Sequence, residues 1–406
     1  MNSIRKQCLL ATGGAIALWA SPAMAQDTTT TYVDLTGSIG FATNPFIRTV
    51  DSQSSVLGRA SARGVHSWAG ERTTASIHGF VEGTTYFNDY GLESIFNLGG
   101  NVSHQASETV TVFGSAGFSG DLSGQLSNRF LYVPPIAEVP DPTIPPPPPT
   151  IENPDAFDFA GRTYHLYGQA GASIQTGLRS HVTVSAGASR AIYDAPGLDE
   201  YTSIWGTGAY TLTLSERTTV GATLHATHTG YDNSSNNSTI INPGLTINTQ
   251  LSEDWNASGT IGVSFAHVER TLTDDSSTNL SLSGNICHTT GESDRLCAYV
   301  DRYSAASASS TVLTTTSAGV SWYKKLDERQ TLQLSASVSH YVDEVLNINR
   351  DVNYFSLAAS YSRMINDRLS AGADLGARSL HRDGIEDPDT DITGTVFIRY
   401  RIGDLG

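Results

Sequence analysis

Four groups of residues in this chain have types that could do chemistry. Cys287, His288 and Cys297 bring two thiols and an imidazole into one short segment. Structural metal centres of this type take four such ligands, so the two cysteines read more simply as one disulfide of an exported chain. His225 and His228 stand three positions apart, a spacing that joins two ligands on a helix but splits them between faces on a strand. The acidic runs at Asp274 and at Glu386–Asp391, "EDPDTD", read as solvated or calcium-bridging loop tips. No serine sits in a tight glycine elbow, and no histidine has acids at a matching loop position, so neither hydrolase constellation is present. The chain reads as a non-enzyme with no catalytic residue, cofactor or metal site.

The remaining group is basic. Arg59, Arg63, Arg378, Arg399 and Arg401 come from both ends of the chain, with Asp34 and Asp374 among them. If the ends meet, these side chains form a ladder that either favours anionic solutes by focusing field in a narrow channel or ties a seam together through ion pairs.

Whether the ends meet depends on the elements. Alternation of apolar with small polar residues, the strand signature, runs through Trp255–Phe265, Leu332–Ser339, Leu369–Arg378, Tyr32–Asn44 and Asp391–Ile402. In the last of these Val396, Ile398, Tyr400 and Ile402 share one face, and Phe397, Arg399 and Arg401 the other. The apolar faces contain too much Ala and Gly to fill a soluble sandwich core. They suit a barrel whose outside meets lipid and whose inside is wet, and closure removes the edges that such long strands would expose.

Composition agrees with that choice. The 406 residues are 39% hydrophobic and include 38 Gly and 17 Tyr, and past the first 25 no apolar run reaches the roughly 18 residues of a membrane helix. Residues 1–25, with Arg5 and Lys6 before an apolar core and "SPAMA" at its end, read as a signal peptide cleaved after Ala25. Without Arg5 and Lys6 the formal charge falls from −16 to −18, which excludes a general nucleic-acid-binding surface.

A polar knot recurs at Gly70, Ser107, Ser180, Ser215, Ser252, Asp327 and Asn366, mostly about 37 residues apart, the length of one hairpin of an outer-membrane barrel. Two steps are about twice as long. One holds the ten prolines of Val133–Pro154, a polyproline spacer, and the other holds both mature cysteines. Both read as extracellular loops, at about 123–158 and 272–307. Seven turns then give an up-and-down transmembrane antiparallel β-barrel, all-β, of about 16 strands, with 14 or 18 one hairpin away. It occupies residues 26–406, with both termini periplasmic. Aromatic residues near strand ends, Tyr86, Phe87, Tyr90, Tyr193, Tyr201, Trp322, Tyr323 and Tyr361, suit interfacial girdles.

The stretches "NPFIR" (Asn44–Arg48), "RASARGVHSWAGERTTASIHGFVEGTTYFND" and "NDRLSAGADLGARS" resemble the proteobacterial outer-membrane β-barrel porins of type 2, some of which resemble barrels encoded with exopolysaccharide export genes. That resemblance implies a barrel of the Gram-negative outer membrane and carries no site residues. The end "RYRIGDLG" departs from the terminal aromatic usual for barrel assembly, a role Tyr400 is placed to fill. The expected function is a passive pore or an accessory conduit for exopolysaccharide. Its partners are membrane lipid, lipopolysaccharide, the barrel-assembly machinery and an anionic solute or polysaccharide. The alternatives are a non-conducting structural or adhesive barrel and a barrel hydrolase.

Overall fold

The computed structural model describes residues 28–47, 53–87, 91–121, 162–194, 197–270, 274–291, 293–343, 351–382 and 389–404. The signal segment 1–25, the proline-rich stretch and Tyr90 lie outside them. The elements are β1 (Thr28–Ala42), β2 (Ser55–Ala69), β3 (Thr73–Tyr86), β4 (Gly91–Gln105), β5 (Val110–Asp121), β6 (Arg162–Gly177), β7 (Ser180–Asp194), β8 (Tyr201–Ser215), β9 (Thr218–Tyr231), β10 (Asn237–Gln250), β11 (Trp255–Glu269), β12 (Asp274–Thr290), β13 (Asp294–Ser307), β14 (Thr311–Lys325), β15 (Gln330–Asp343), β16 (Val352–Met364), β17 (Leu369–Arg382) and β18 (Asp389–Gly403). Each strand pairs antiparallel with its neighbours in sequence, and β18 pairs with β1, from Tyr32 opposite Gly403 to Ala42 opposite Thr393. The sheet therefore closes on itself, and no helix of the described residues could cross a membrane.

The barrel has 18 strands, not about 16. The extra pair is β12–β13, in the segment read from sequence as a cysteine-stapled loop at 272–307. Its strand signature is present: Leu280, Leu282 and Ile286 alternate with Ser281, Ser283 and Asn285, and Leu296, Ala298 and Val300 alternate with Cys297, Tyr299 and Asp301. The two long steps of the repeat thus have different causes, since one spans two whole hairpins and the other a single hairpin enlarged by residues 122–161.

Alternation decides which way each side chain points, because directly opposed residues of an antiparallel pair share a face. Leu35, Ile39, Phe41, Leu245, Ile261, Phe265, Leu280, Leu357, Leu375, Val396 and Ile398 are exposed on the outside. At the short-turn end, Trp68, Trp255, Trp322, Tyr361 and Tyr400 lie on that same outer face. Two of their polar tips find partners there: Trp322 Nε1 donates to Asp294 Oδ1 at 2.7 Å and Tyr361 OH donates to Gln330 Oε1 at 2.6 Å. An apolar band bordered by amphipathic aromatics is the surface that a bilayer solvates. Tyr86, Tyr193 and Tyr201 are a correction to the expected girdle. Each falls on the inward parity of its strand and is buried on the lumen side of the opposite end.

The connections sort by end. At one end the turns are tight, such as Gly177–Ser180 and Ser215–Thr218, and the first strand begins and the last strand ends there. At the other end lie the longer connections, including residues 43–54 and 122–161.

Candidate functional site: the lumen and its long-loop mouth

The inner face carries many small polar residues, and five of its large rings are held flat against the wall. Phe113 stands opposite Gly171, Tyr167 opposite Gly117, Trp205 opposite Gly187, Tyr299 opposite Gly319 and Phe397 opposite Gly372. A Cβ added at any of these glycines would collide with the facing ring. Each ring therefore lies over the bare backbone of the next strand, covering a glycine that would otherwise leave the sheet unpacked. These five rings therefore add little bulk to the lumen, and barrels of this girth enclose an aqueous channel.

The five arginines expected as a ladder all fall on the inward face of the seam formed by β17, β18, β1 and β2. Arg401 and Arg63 flank Asp34, Arg399 faces Thr36, Arg59 faces Ser38 and Arg378 faces Asp391. They do not play one role. Arg401 grips Asp34 with two hydrogen bonds, 2.7 and 2.9 Å, and lies 4.2 Å from the ring centroid of Tyr32. Arg59 pairs with Glu82 at 3.2 Å, and Arg378 is buried against Asp391. Arg63 and Arg399 have no ion pair among the described residues, and Arg399 lies 5.4 Å from the ring centroid of Phe397. Asp374 accepts from Ser360 Oγ at 2.6 Å and is likewise held within the wall. Three arginines thus tie the seam, and two leave charge facing the lumen.

Cys287 and Cys297 are direct cross-strand partners on the inner face, joined through sulfur, near the short-turn end of β12–β13. The pair is a rung of the barrel wall and not a staple over the mouth. His288 turns to the opposite, outer face and packs 4.7 Å from Trp255, so it is aimed away from the sulfurs. His225 points inward between Thr207 and Thr227 while His228 points outward to Thr239. Of the acidic tips, Asp275 pairs with Arg270 at 3.6 Å. Glu386 lies outside the described residues, but Asp391 of the same run is one of the most buried side chains in the chain.

Two segments fold inward at the mouth on the side of the longer connections, and sequence alone foretold neither. The first follows β1. Asn44, Pro45, Phe46 and Ile47 are buried, Phe46 against Ala42, Leu57 and Tyr86, and Ile47 against Val352, Tyr354 and Leu380. All of those partners lie on inward faces, so this stretch lines the inside of the mouth. Asp391 holds it there: Oδ1 accepts from the Asn44 amide at 2.9 Å, Oδ2 accepts from Arg378 Nε at 3.1 Å, and Arg378 Nη2 donates to the Pro45 carbonyl. The signal was the "NPF" motif, apolar residues in a loop that would otherwise meet water.

The second is the tip of the β13–β14 hairpin. Strands β12 and β13 pair only from Leu282 opposite Arg302 down to Thr290 opposite Asp294. Above that rung β13 leaves β12 and stays with β14, up to Ser307 opposite Thr311. Val312, on the outward parity of β14, is buried against Ile240, Ala266 and Val268, which are on the inward faces of β10 and β11. Asn279 Nδ2 on the inner side of β12 donates to Thr314 Oγ1 at 3.4 Å. The tip therefore lies inside the barrel, its outer face against the inner wall. It reaches the far side, where Tyr231 OH donates to the Thr311 carbonyl at 3.1 Å and the Asp199 amide donates to the Ala308 carbonyl at 2.7 Å.

No protein-family profile matches the sequence, and no curated protein does. Solved structures do. OccK2 (OpdF) of Pseudomonas aeruginosa superposes with a TM-score of 0.50 at 9% identity, covering 93% of this chain and 98% of that one. The likeness is one of fold. OccAB3 of Acinetobacter baumannii gives a TM-score of 0.44 at 9% identity over 93% and 99% of the two chains. The chain has a porin-like closed antiparallel barrel, and the sequence distance leaves the lumen residues its own.

Proposed function

We propose that this chain is an integral barrel of the Gram-negative outer membrane acting as a passive pore that prefers anionic solutes. The observation that carries the reading is the inner wall: small polar side chains, aromatic rings laid over glycines, and Arg63 and Arg399 turned to the lumen without ion-pair partners among the described residues. Short turns on one end and longer connections on the other support a periplasmic position for both termini, after export by the signal segment and insertion by the barrel-assembly machinery. Lipid and lipopolysaccharide are then the outer contacts. A conduit for an exported acidic polysaccharide is the same chemistry with a polymer as cargo. Single-channel recording in planar bilayers tests it: steady steps with reversal potentials displaced toward the anion are expected, and a folded barrel that never conducts would refute it.

One observation favours a second reading, a structural barrel that does not conduct. Asn44–Ile47 and the β13–β14 tip both occupy the inside of the outer mouth. The same recordings separate the two.

A further inference from the structure

We propose that the outer end of the β13–β14 hairpin is a gate that alternates between the lumen and the barrel wall by unzipping and zipping β13 against β12. The gate rests on the pore reading, and it states what opens and closes that pore.

The register carries the argument. Extending the β12–β13 pairing above Leu282 and Arg302 sets Ser281 opposite Tyr303, Leu280 opposite Ser304, Asn279 opposite Ala305, Thr278 opposite Ala306 and Ser277 opposite Ser307. Every one of these pairs keeps parity, so Leu280 and Ala306 would face outward and Asn279 inward. No bulge or residue type blocks the five rungs, yet they are not made. The edge of β12 is left without its strand partner from Asp275 to Ser281, although Leu280 shows that this height lies within the apolar band. Backbone groups left unpaired in such a setting are costly, so the open seam must be offset by what the tip gains inside.

Those gains are of similar number. The tip holds the far wall through Tyr231 OH to the Thr311 carbonyl, the Asp199 amide to the Ala308 carbonyl, the Ser310 hydroxyl to the Asp199 carboxylate, and Ser234 Oγ with Ser310 Oγ at 3.2 Å. It also buries Val312 and Ala308. The fit against the wall is incomplete. Among the described residues Asn242 Oδ1 on β10 and Ser264 Oγ on β11 are buried without a hydrogen-bond partner. Ser310 at the turn of the tip adopts φ 57°, a left-handed conformation that a serine enters at some cost. Two arrangements of the same strands, each with its own set of satisfied groups, are what a bistable element consists of. The sequence of the tip, "SAASASSTV" from Ser304 to Val312, is small enough to be accepted by either surface. Zipped, it completes the wall and clears the mouth; unzipped, it lies across the mouth.

Two cysteine pairs in a Cys287→Ser, Cys297→Ser background test this. Asn279→Cys with Ala305→Cys can join only in the zipped arrangement, and Val268→Cys with Val312→Cys only in the folded-in one; Ala266→Cys replaces Val268→Cys if that variant does not refold. Each protein is oxidised mildly, its cross-linked fraction is read by mass, and its conductance is recorded with and without reductant. Both pairs are expected to join. The first lock should give large, steady conductance, and the second a conductance several-fold smaller that reductant restores. The gate is overturned if only the Val268–Val312 pair joins, or if both locks conduct equally. If both pairs join in a barrel that conducts in neither state, the pore reading fails instead.

Discussion

Arg378 on β17 and Asp391 on β18 face each other directly across the inner wall, Nε to Oδ2 at 3.1 Å, with 2% and 1% of their side chains exposed. The same carboxylate also binds the amide of Asn44, and the same guanidinium the carbonyl of Pro45, so one ion pair fixes the inward path of the chain after β1. Removing one member of a buried pair leaves the other charged and dry, at about 3–5 kcal/mol. Arg378→Ala should therefore lower the melting temperature in detergent markedly and make the Asn44–Ile47 stretch sensitive to protease before the barrel unfolds. Protection unchanged from the wild type would show that the ion pair is not the latch.

The two lumenal arginines without ion pairs predict selectivity. A guanidinium roughly 8 Å from a passing anion in water contributes about 0.5 kcal/mol, roughly a twofold effect on relative permeability. Arg63→Ala with Arg399→Ala should reduce the anion preference by about fourfold, read as reversal potentials across a salt gradient. Arg401→Ala acts differently, since it frees Asp34, and should shift selectivity further toward cations than either single loss. Equal effects from all three would mean that the pairing seen at the seam does not govern the field in the lumen.

Much of this architecture is legible in alternation alone. The closing strands, the lumen parity of Arg59, Arg63, Arg378, Arg399 and Arg401, and the tight turns at Ser180, Ser215 and Asn366 all follow from a period of two and a repeated polar knot. The β12–β13 hairpin escaped because its knot, "GES" at Gly291, sits between two cysteines and polar flanks that look like a loop, although Leu280, Leu282 and Ile286 keep the period. The fate of each arginine escaped for another reason. Parity says which face a side chain takes, but whether Arg401 or Arg399 finds a carboxylate depends on cross-strand register, set by closure between residues more than 350 positions apart. The inward folds of Phe46 and of the β13–β14 tip are tertiary choices that no local pattern encodes.

The disulfide makes a prediction of its own. Cys287 and Cys297 close a short loop, with a sequence separation of 10, and a cross-link of that span contributes about 2–3 kcal/mol through the unfolded chain. Cys287→Ser with Cys297→Ser should lower thermal stability by that amount while leaving conductance unchanged, because the pair is part of the wall near the short turns. A change in gating on reduction would instead tie the pair to the mouth.

The membrane-facing assignment is tested by neighbours on one strand. Ile261 points outward in the middle of β11, and Thr260 beside it points to the lumen between Thr246 and Ser283. Ile261→Arg should cost about 2–4 kcal/mol in folding into lipid vesicles, and Thr260→Arg much less. Denaturant titrations of refolding measure both, and equal penalties would contradict the assigned faces.

On the reading proposed above, the lumen conducts and the β13–β14 tip decides when. The decisive measurement is single-channel recording of the Asn279→Cys, Ala305→Cys protein before and after oxidation, in the Cys287→Ser, Cys297→Ser background. Flickering should give way to long, full openings once the pair is joined; openings unaltered by the cross-link would rule the gate out.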